Sequence, residues 1–376
     1  MKVLRVPIGA AAYCSVVNAD YTLLPLENDF LRYLRFAKDR AESTTKRYAE
    51  TLAIFADWRE RTGRDLQQAL VDLHHFVIWL RMTPVNRHGS GQGRARSGKR
   101  VNQMLAPIRE FAKHAVIAGA VPSSVLAALW EVADDRMLPA ELKPEGGGLQ
   151  YRAVPRHRVK ETRRTQPTTA TQAEAEALLR VALSHRDRFI IGLLWTTGIR
   201  VGGALGLRRS DMHLVGDARA LGCQIPGPHI HLVRRDNPNG AAIKANEYAV
   251  PVRSDLLTLY ERYLLEREQA LRADSCDFVL VNIFHQPLGQ PMTYPIVRQM
   301  LAGLSKKAGL NRTITPHMLR HGTARQLITH GADISMVQSI LGQASIVSTQ
   351  VYVTPDEDAR RAAMNALPPL VGPGRA

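Results

Sequence analysis

The feature that most constrains the fold is a break in hydrophobic patterning near the middle of this 376-residue chain. Between Lys143 and Arg164 the sequence carries seven lysine or arginine residues, two glutamates and three consecutive glycines. A segment with so few apolar side chains cannot bury a core of its own. It predicts a basic, flexible linker over residues 134–170 that separates two domains, which also fits the chain length.

The stretch before this linker, residues 26–133, predicts a helical bundle, and residues 1–25 precede it as an N-terminal extension. Three segments place apolar or aromatic residues on one side of a helix, at spacings of three and four. These residues are Tyr48, Leu52, Phe55 and Trp58, then Leu66, Leu70, Leu73, Phe76 and Leu80, and then Val101, Leu105, Ile108 and Phe111.

The stretch after the linker, residues 171–356, predicts a second domain that is mostly helical. A buried helix is expected at 186–197, and it ends at Gly198, which suits a left-handed cap. Small polar residues before further apolar runs predict additional helix starts. The residues expected to cap helices are Thr171, Ser254, Thr293, Thr315 and Asp333.

A small antiparallel sheet is expected within the second domain. Strands are predicted at 230–234 and 248–252, on either side of an Asn-Pro-Asn-Gly turn, and a further strand at 277–282. A C-terminal tail follows at 357–376. The predicted fold class is therefore mainly α (α+β), with an N-terminal helical bundle and a mostly helical catalytic domain that carries a small antiparallel sheet.

The charge balance favours a polyanionic partner. Lysine and arginine total 50 against 34 aspartates and glutamates, which gives a formal net charge of +16. Such a surplus favours nucleic acid through counterion release. The loop 84–100 has no acidic residue, and it is interpreted as a phosphate-binding segment or, alternatively, as a solvated loop. The candidate DNA-binding residues are Arg87, Arg94, Arg96, Lys99 and Arg100 in this loop, and Arg156, Arg158 and Lys160 in the linker.

The cysteine and hydropathy patterns argue against several other classes of protein. Cys14, Cys223 and Cys276 lie far apart and in no CxxC arrangement. This argues against a disulfide framework or a zinc site, and it fits a reducing compartment. The longest apolar stretch, 189–195, is too short to span a bilayer. These patterns predict a cytoplasmic protein with no membrane partner.

The segment Thr-Pro-His-Met-Leu-Arg-His that begins at Thr315 carries the clearest chemical signal. Thr315 as N-cap, followed by proline, places His317 in the first helical turn, where free N–H groups and the helix dipole favour an anion. Arg320 follows one turn later and is expected to bind the phosphate that His317 approaches. The alternative is a metal pair formed by His317 and His321. No glutamate follows His317 and no third ligand is apparent, which disfavours a metal.

Three further residues are ambiguous when each is taken alone. Arg200 follows a helix-ending glycine by two positions, and by itself it suggests a surface residue. Lys244 lies just past the predicted turn, where a lysine is commonly a solvated hairpin charge. Tyr352, near the end of the last apolar segment, would by itself suggest a packing residue.

Taken together and in order, these residues resemble the tyrosine recombinase (phage integrase) family. The resemblance covers the second domain as far as residue 352, and the helical unit at 26–133 is similar to the family's core-binding domain. The matching positions are Arg200 in Thr-Gly-Ile-Arg, the hairpin Lys244, His317 and Arg320 in His-x-x-Arg, and Tyr352 eleven residues after the leucine of Leu-Gly.

The resemblance implies phosphoryl transfer at a site without metal, cofactor or ATP. Tyr352 would attack a DNA phosphodiester, form a 3′-phosphotyrosyl link and release a 5′-hydroxyl. His317 is the candidate base for the phenol, whose ordinary pKa is about 10. Arg200 and Arg320 would stabilise charge on the nonbridging oxygens, and Lys244 would protonate the departing oxygen.

Two positions depart from the family pattern. Gln343 stands where the family usually has histidine or tryptophan. Its amide can donate to a phosphate oxygen but carries no charge and transfers no proton. Gly203 stands where an acidic residue is common, so support for the arginine–histidine cluster is expected from elsewhere.

The implied partner is double-stranded DNA with inverted-repeat core sites. The leading hypothesis is a site-specific recombinase, an integrase or a transposase of a mobile genetic element, that acts as a homotetramer on DNA in the nucleoid. Sibling recombinases or accessory proteins are further implied partners, and the tail 357–376 is expected to pack against a neighbouring protomer. The alternatives are a catalytically weak DNA-binding accessory protein with the same fold, motivated by Gln343 and Gly203, and a type IB topoisomerase-like activity.

Overall fold

The computed structural model divides into two compact units, Met1–Arg164 and Thr165–Ala376. Most of the described residues lie in helices, and the sheets of the described part are small and antiparallel. The predicted mainly α fold is therefore confirmed. The structure describes residues 1–9, 11–84, 93, 95–134, 151–160, 168–243, 246–271 and 275–342.

The first unit begins with a hairpin and continues as a helical bundle. A π-helical segment, Tyr33–Ala37, extends the first helix. The elements are β1 (Lys2–Ile8), β2 (Ala11–Val17), α1 (Pro25–Arg32), α2 (Glu42–Thr62), α3 (Leu66–Val71), α4 (Leu73–Met82), α5 (Gly98–Ile117), α6 (Val125–Leu129), β3 (Trp130–Asp134) and β4 (Tyr151–Pro155).

Aromatic side chains fill the core of the first unit. Phe55 and Trp58 of α2 stack with ring centroids 5.9 Å apart, and Phe76 of α4 meets Phe55 edge-on at 5.2 Å. Leu105 and Ile108 of α5 join the same cluster and are fully buried. Burial of this apolar area is the main stabilising contribution to the bundle. The predicted N-terminal helical bundle is confirmed.

The N-terminal hairpin is held by a helix that follows it in sequence. Asn28 of α1 is only 5% exposed. Its Oδ1 accepts a hydrogen bond from the Val16 N–H at 2.9 Å, and its Nδ2 donates to the Val16 carbonyl at 2.8 Å. The first bond supplies a partner for the buried Val16 N–H, and the second adds to the hydrogen bond that the Val16 carbonyl accepts from the Leu24 N–H at 3.1 Å. Sequence patterning suggested only an extension here.

Part of the interval expected to be a linker is folded onto the first unit. Strand β4 pairs antiparallel with β3. Beyond β4, Asn102 of α5 donates to the Val159 carbonyl at 2.8 Å and accepts from the Val159 N–H at 2.9 Å. The strand was missed because its five residues alternate too briefly to be predicted and its partner is distant in sequence. Residues 135–150 and 161–167 lie outside the described residues.

The second unit is built around a buried helix, α8, whose apolar residues lie in the largest core cluster. None of the helices in the described part of the chain is long and apolar enough to cross a membrane. The elements are α7 (Gln172–Val181), α8 (His185–Thr197), α9 (Val201–Gly206), β5 (Met212–His213), β6 (His229–Leu232), β7 (Tyr248–Pro251), α10 (Ser254–Ala270), α11 (Tyr294–Lys307), α12 (Pro316–Thr329) and α13 (Ile334–Leu341).

Several helices begin and end where local signals predicted. Thr171 accepts from the Glu174 N–H at 3.2 Å, and Glu174 accepts from the Thr171 N–H at 2.8 Å, which forms a capping box. Gly198 ends α8 in the left-handed region, with φ of 63°. Helix α10 differs by one residue, since Arg253 rather than Ser254 occupies the cap position. The other predicted cap positions, Thr293, Thr315 and Asp333, are confirmed.

The predicted small sheet is confirmed, with strand order β5-β6-β7. Ile230 of β6 lies opposite Val250 of β7 and Met212 of β5. In the turn between β6 and β7, the Gly240 N–H donates to the Asn237 carbonyl at 2.9 Å, and Gly240 has φ of 70°. This turn needs a residue that tolerates positive φ, which glycine supplies.

The strand predicted at 277–282 is wrong, because the segment makes only isolated bridges at Phe278 and Val281. Part of its backbone bonds to flanking loops, since the Val279 N–H donates to the Leu207 carbonyl at 2.9 Å, and part bonds to a side chain of α10. Arg267, 1% exposed, donates from Nη1 to the carbonyls of Phe278 at 2.6 Å and Val279 at 3.0 Å. A buried extended segment needs hydrogen-bond partners, but they need not come from a sheet.

Candidate active site and DNA-binding surface

The start of α12 positions two of the predicted catalytic residues. Thr315 accepts a hydrogen bond from the Met318 N–H at 3.3 Å, and Pro316 occupies the first helical position. His317 is exposed in the first turn, whereas Arg320 is only 3% exposed. The two side chains therefore lie in different environments, one at the surface and one in the interior.

Arg320 joins the C-terminal ends of two helices. Its Nη1 donates to the Gly198 carbonyl at 2.7 Å, and its Nη2 donates to the Leu341 carbonyl at 2.9 Å. Gly198 caps α8 and Leu341 ends α13. Carbonyls at a helix C-terminus lack intrahelical partners and carry the negative end of the dipole. Their position stabilises the buried guanidinium and fixes its orientation.

Arg200 reaches the same helix end from another element. It occupies the cap position before α9 and is half-buried. Its Nη1 donates to the Gly342 carbonyl at 3.3 Å, next to the Leu341 carbonyl that Arg320 binds. The structure thus brings together two arginines that are far apart in sequence, both bound at the C-terminus of α13.

Tyr248, the first residue of β7, belongs to this cluster and was not singled out from the sequence. Its hydroxyl donates to the Leu341 carbonyl at 3.3 Å. Burial raises the pKa of this phenol, and the positive charges of Arg320 and Arg200 oppose the rise. A Cβ on Gly342 would overlap the ring of Tyr248. No local pattern reveals this tyrosine, because its partners come from distant helices.

Gly203, which stands in place of the expected acidic residue, lies close to side chains of the hairpin. A Cβ on Gly203 would lie 2.9 Å from Leu232 Cδ1 of β6 and 3.4 Å from Ile243 Cγ2. Contacts under 3.0 Å force a neighbour to move. Support for the two arginines comes instead from the backbone carbonyls at the ends of α8 and α13.

The structure describes the backbone just before two other predicted catalytic residues, Lys244 and Gln343. A Cβ on Gly202 would lie 2.7 Å from the Ala242 carbonyl oxygen, so the hairpin packs closely against α9, which begins after Arg200. Gly342, which accepts the Arg200 hydrogen bond, directly precedes Gln343. The predicted catalytic residues that lie outside the described part are Lys244, Gln343 and Tyr352.

His321 lies one turn after His317, with ring centroids 6.3 Å apart. Burial, together with the neighbouring His317 and Arg320, lowers the pKa of His321 to about 4. The His321 imidazole is therefore neutral at neutral pH. Among the described residues, no third histidine, cysteine or carboxylate forms a metal-binding group with this pair.

The first unit groups basic residues that the sequence placed in separate segments. Residues 157–160 dock along the N-terminal part of α5 through Asn102. A Cβ on Gly98 would lie 3.1 Å from the Lys160 carbonyl oxygen, which places the end of this segment beside the start of α5. The start of α5 and the segment 156–160 carry exposed basic residues, which are Lys99, Arg100, Arg156, Arg158 and Lys160.

Arg96 has intramolecular partners at the end of α4. Its Nη1 donates to the carbonyls of Leu80 at 3.2 Å and Thr83 at 3.0 Å, and its guanidinium lies 5.7 Å from the centroid of a Trp79 ring. Burial, and then the charge of Arg100, lower the pKa of Arg96. These contacts give Arg96 a structural position at the C-terminus of a helix. Arg87 and Arg94 lie outside the described residues.

The mostly helical fold agrees with the family comparison. The model of the phage integrase family matches residues 169–358, half of the chain. The chain therefore belongs to the phage integrase family, the tyrosine recombinases, and it is a site-specific recombinase that cleaves and rejoins its partner, DNA.

One relative spans most of the chain and another spans half of it. The chain is 28% identical over 357 residues to transposase A from transposon Tn554 of Staphylococcus aureus, covering 93% of this chain and 92% of that protein. It is 33% identical over 194 residues to tyrosine recombinase XerD of Halalkalibacterium halodurans, covering 50% of this chain and 56% of XerD.

Solved structures of low sequence identity share the fold. The Tn1549 transposon integrase in complex with a circular intermediate DNA matches with a TM-score of 0.61 and 17% identity, covering 91% of this chain and 99% of that one. The XerH recombinase in its post-cleavage complex with palindromic difH matches with a TM-score of 0.55 and 19% identity, covering 90% and 84%.

Proposed function

We propose that this recombinase works through a 3′-phosphotyrosyl intermediate formed by Tyr352, with no metal ion or ATP in the reaction. The phenolic oxygen attacks the phosphorus, and the bond to the 5′-oxygen breaks. His317 accepts the phenolic proton, and Lys244 donates a proton to the departing oxygen. The phosphotyrosyl bond keeps the energy of the phosphodiester, so a 5′-hydroxyl from a second duplex can attack it and reseal the strand.

The convergence of Arg200 and Arg320 at the end of α13 is the observation that carries this proposal. Carbonyl hydrogen bonds hold both guanidinium groups in place before DNA binds. Preorganised positive charge stabilises the negative charge on nonbridging phosphate oxygens as the transition state forms. Gln343 follows Gly342 directly, and its amide is proposed to donate to the same phosphate.

The proposed nucleophile is tested with half-site DNA that carries a nick near the cleavage position, so that a released fragment diffuses away. We expect wild-type protein to form a covalent adduct that survives denaturation, and Tyr352→Phe to form none because it lacks the attacking oxygen. Peptide mapping of the adduct should place the DNA on Tyr352, which matters because Tyr248 also lies beside the arginines.

Tyr294→Phe is the matched control for this experiment, since Tyr294 is an exposed tyrosine on α11. It should form the adduct at the wild-type rate. The proposed chemistry fails if Tyr352→Phe forms as much adduct as wild type, or if wild-type protein forms none over a range of salt concentrations.

The exposed basic residues around the start of α5 are proposed to bind DNA phosphates. Replacing both Lys99 and Arg100 by alanine should weaken binding to all DNA sequences alike. It should also reduce the slope of log K against log salt by about 1.8, since each phosphate contact contributes about 0.9. Lys113→Ala, an exposed lysine near the other end of α5, should leave the slope unchanged. Equal slopes for the double variant and wild type would contradict this role.

The proposed substrate is double-stranded DNA with inverted-repeat core sites, bound by four copies of the chain. Exchange between two duplexes requires four strand cleavages, which four identical active sites supply. The similarity to the Tn554 transposase over nearly the whole chain supports a role in a transposon. Sibling recombinases or accessory proteins are proposed as further partners, with the tail 357–376 packing against a neighbouring copy.

A further inference from the structure

Four side chains that can bind a metal converge on one face of the β5–β6 pair. His213 of β5 lies directly opposite His229 of β6, and His231 lies two residues further along β6 on the same face. Cys223 comes from the loop 214–228 that joins the two strands. The other face of β6 contributes to the core of the second unit. This cluster is therefore separate from that core.

The ligand atoms have the spacing of a coordination shell. His231 Nε2 lies 3.0 Å from His229 Nε2 and 3.3 Å from His213 Nδ1. Cys223 Sγ lies 3.3 Å from His229 Nε2 and 3.4 Å from His231 Nε2. All four ligand atoms lie within 4.8 Å of one another. A tetrahedron around zinc, with bonds of about 2.0–2.3 Å, has edges of about 3.3–3.6 Å, close to these separations.

The orientation of His229 is set by a backbone hydrogen bond. Its Nδ1 lies 2.7 Å from the Gly227 carbonyl oxygen, and the ring is 1% exposed. Because a carbonyl only accepts, Nδ1 carries the proton, and the Nε2 lone pair points towards the other ligands. Metal-binding histidines are commonly oriented in this way by a carbonyl or carboxylate.

The loop that carries Cys223 packs against the core through Leu214, next to β5, whereas Val215 and Ile225 are exposed. Ala218 is buried, while Asp217 and Arg219 pair with each other at the surface. Backbone hydrogen bonds fold the loop on itself, including those from the Cys223 N–H to the Ala218 carbonyl and from the Gly227 N–H to the Gly216 carbonyl, both at 3.2 Å. A metal bound through Cys223 would connect this loop to both strands.

We propose that His213, Cys223, His229 and His231 bind one Zn²⁺ ion that holds the loop 214–228 on the sheet. Four protein ligands form a closed shell, which is typical of a structural site rather than a catalytic one. A thiolate with imidazoles suits zinc better than magnesium or calcium. The ion takes no part in strand transfer. It stabilises β6, the strand that leads into the hairpin before Lys244.

This proposal corrects the sequence-based expectation against a zinc site. That expectation considered cysteine spacing, and only one of the four ligands is a cysteine. The pattern of Cys223 followed by His229 and His231 is a signal that the sequence does contain. His213 joins the group only through the pairing of β5 with β6.

Metal analysis of the full-length protein, purified in reducing buffer without chelator, tests the site directly. We expect one zinc per chain in wild type. In Cys223→Ser and His231→Asn, the affinity for zinc should fall by about tenfold or more, and the zinc content should fall with it. Cys276→Ser and His285→Asn are matched controls outside the cluster and should keep full zinc. Wild-type protein without zinc that also takes up none when Zn²⁺ is added would overturn the proposal, as would full zinc in Cys223→Ser.

Two further measurements remain informative if a variant folds poorly. Co²⁺ added to zinc-depleted wild type should produce the intense visible bands of tetrahedral cobalt and a thiolate-to-cobalt charge-transfer band. Zinc removal should also speed trypsin cleavage after the exposed Arg219 by about tenfold or more, and added Zn²⁺ should reverse this. An octahedral cobalt spectrum, or cleavage at the same rate with and without zinc, would contradict the proposed site.

Discussion

Replacing Arg320 by lysine is expected to slow formation of the covalent protein–DNA adduct by about 10²–10³-fold. The substitution keeps the positive charge but removes the planar fork that binds the carbonyls of Gly198 and Leu341 together. The single ammonium group of a flexible lysine side chain does not bind both carbonyls in the geometry of the planar guanidinium. A slower rate of adduct formation would therefore show that the orientation of the positive charge at the phosphate matters, since Arg320→Lys keeps the charge itself. Single-turnover adduct formation on nicked half-site DNA measures it.

The control for this prediction lies on the same helix. Arg325 is exposed on α12, and Arg325→Lys should form the adduct at close to the wild-type rate. Thermal unfolding separates the catalytic from the structural effect. Arg320→Ala removes the donor to the Gly198 carbonyl, at a cost of about 1–3 kcal/mol, whereas the Leu341 carbonyl keeps its hydrogen bond from the Tyr248 hydroxyl. Near wild-type cleavage by Arg320→Lys would show that the fork is not needed for catalysis.

Replacing Gly342 by alanine is expected to lower the free energy of unfolding of the second unit by about 2–5 kcal/mol. Gly342 has φ of 57°, a conformation that costs a residue with a side chain about 1–2 kcal/mol. The added methyl group would also overlap the ring of Tyr248, and such overpacking costs about 1–3 kcal/mol. Because the Gly342 carbonyl binds Arg200, adduct formation should fall as well. Chemical denaturation measures the stability change.

Gly331 provides the matched control for Gly342→Ala. It also has positive φ, 88°, but a Cβ there would meet nothing within 4 Å. Gly331→Ala should therefore show only the cost of the backbone conformation. The double variant Gly342→Ala/Tyr248→Ala should recover part of the loss, because removing the ring removes the overlap. Equal stability of Gly342→Ala and Gly331→Ala would mean that the Tyr248 ring moves aside without cost.

Much of the helical architecture could be predicted from local signals. The capping box at Thr171, the left-handed glycine at position 198 and the cap at Thr315 each depend on residues within one turn, so the sequence pattern contains all of the information. The strand error at 277–282 has the opposite cause. Its apolar residues favour an extended, buried conformation, but its backbone groups bond to flanking loops and to the Arg267 side chain of α10, partners that no local pattern specifies.

The candidate site also contains residues that local motifs identify and one residue that only the tertiary packing reveals. Arg200, His317 and Arg320 were identified because their motifs are short and ordered along the chain, and the structure places both arginines at one helix end. Tyr248 was not identified, since nothing around it in sequence distinguishes it from any strand tyrosine. Its place beside the arginines follows from the packing of β7 near the end of α13.

By itself, the sequence determined where several helices begin and end, the basic character of the chain and the order of the motifs that contain Arg200, His317 and Arg320. These properties depend on neighbouring residues or on simple composition. The tertiary structure alone decided which side chains meet: two arginines at the end of α13, and His213 and Cys223 beside the β6 histidines. Such contacts depend on how strands and helices pack, and no local pattern specifies a partner that is distant in sequence.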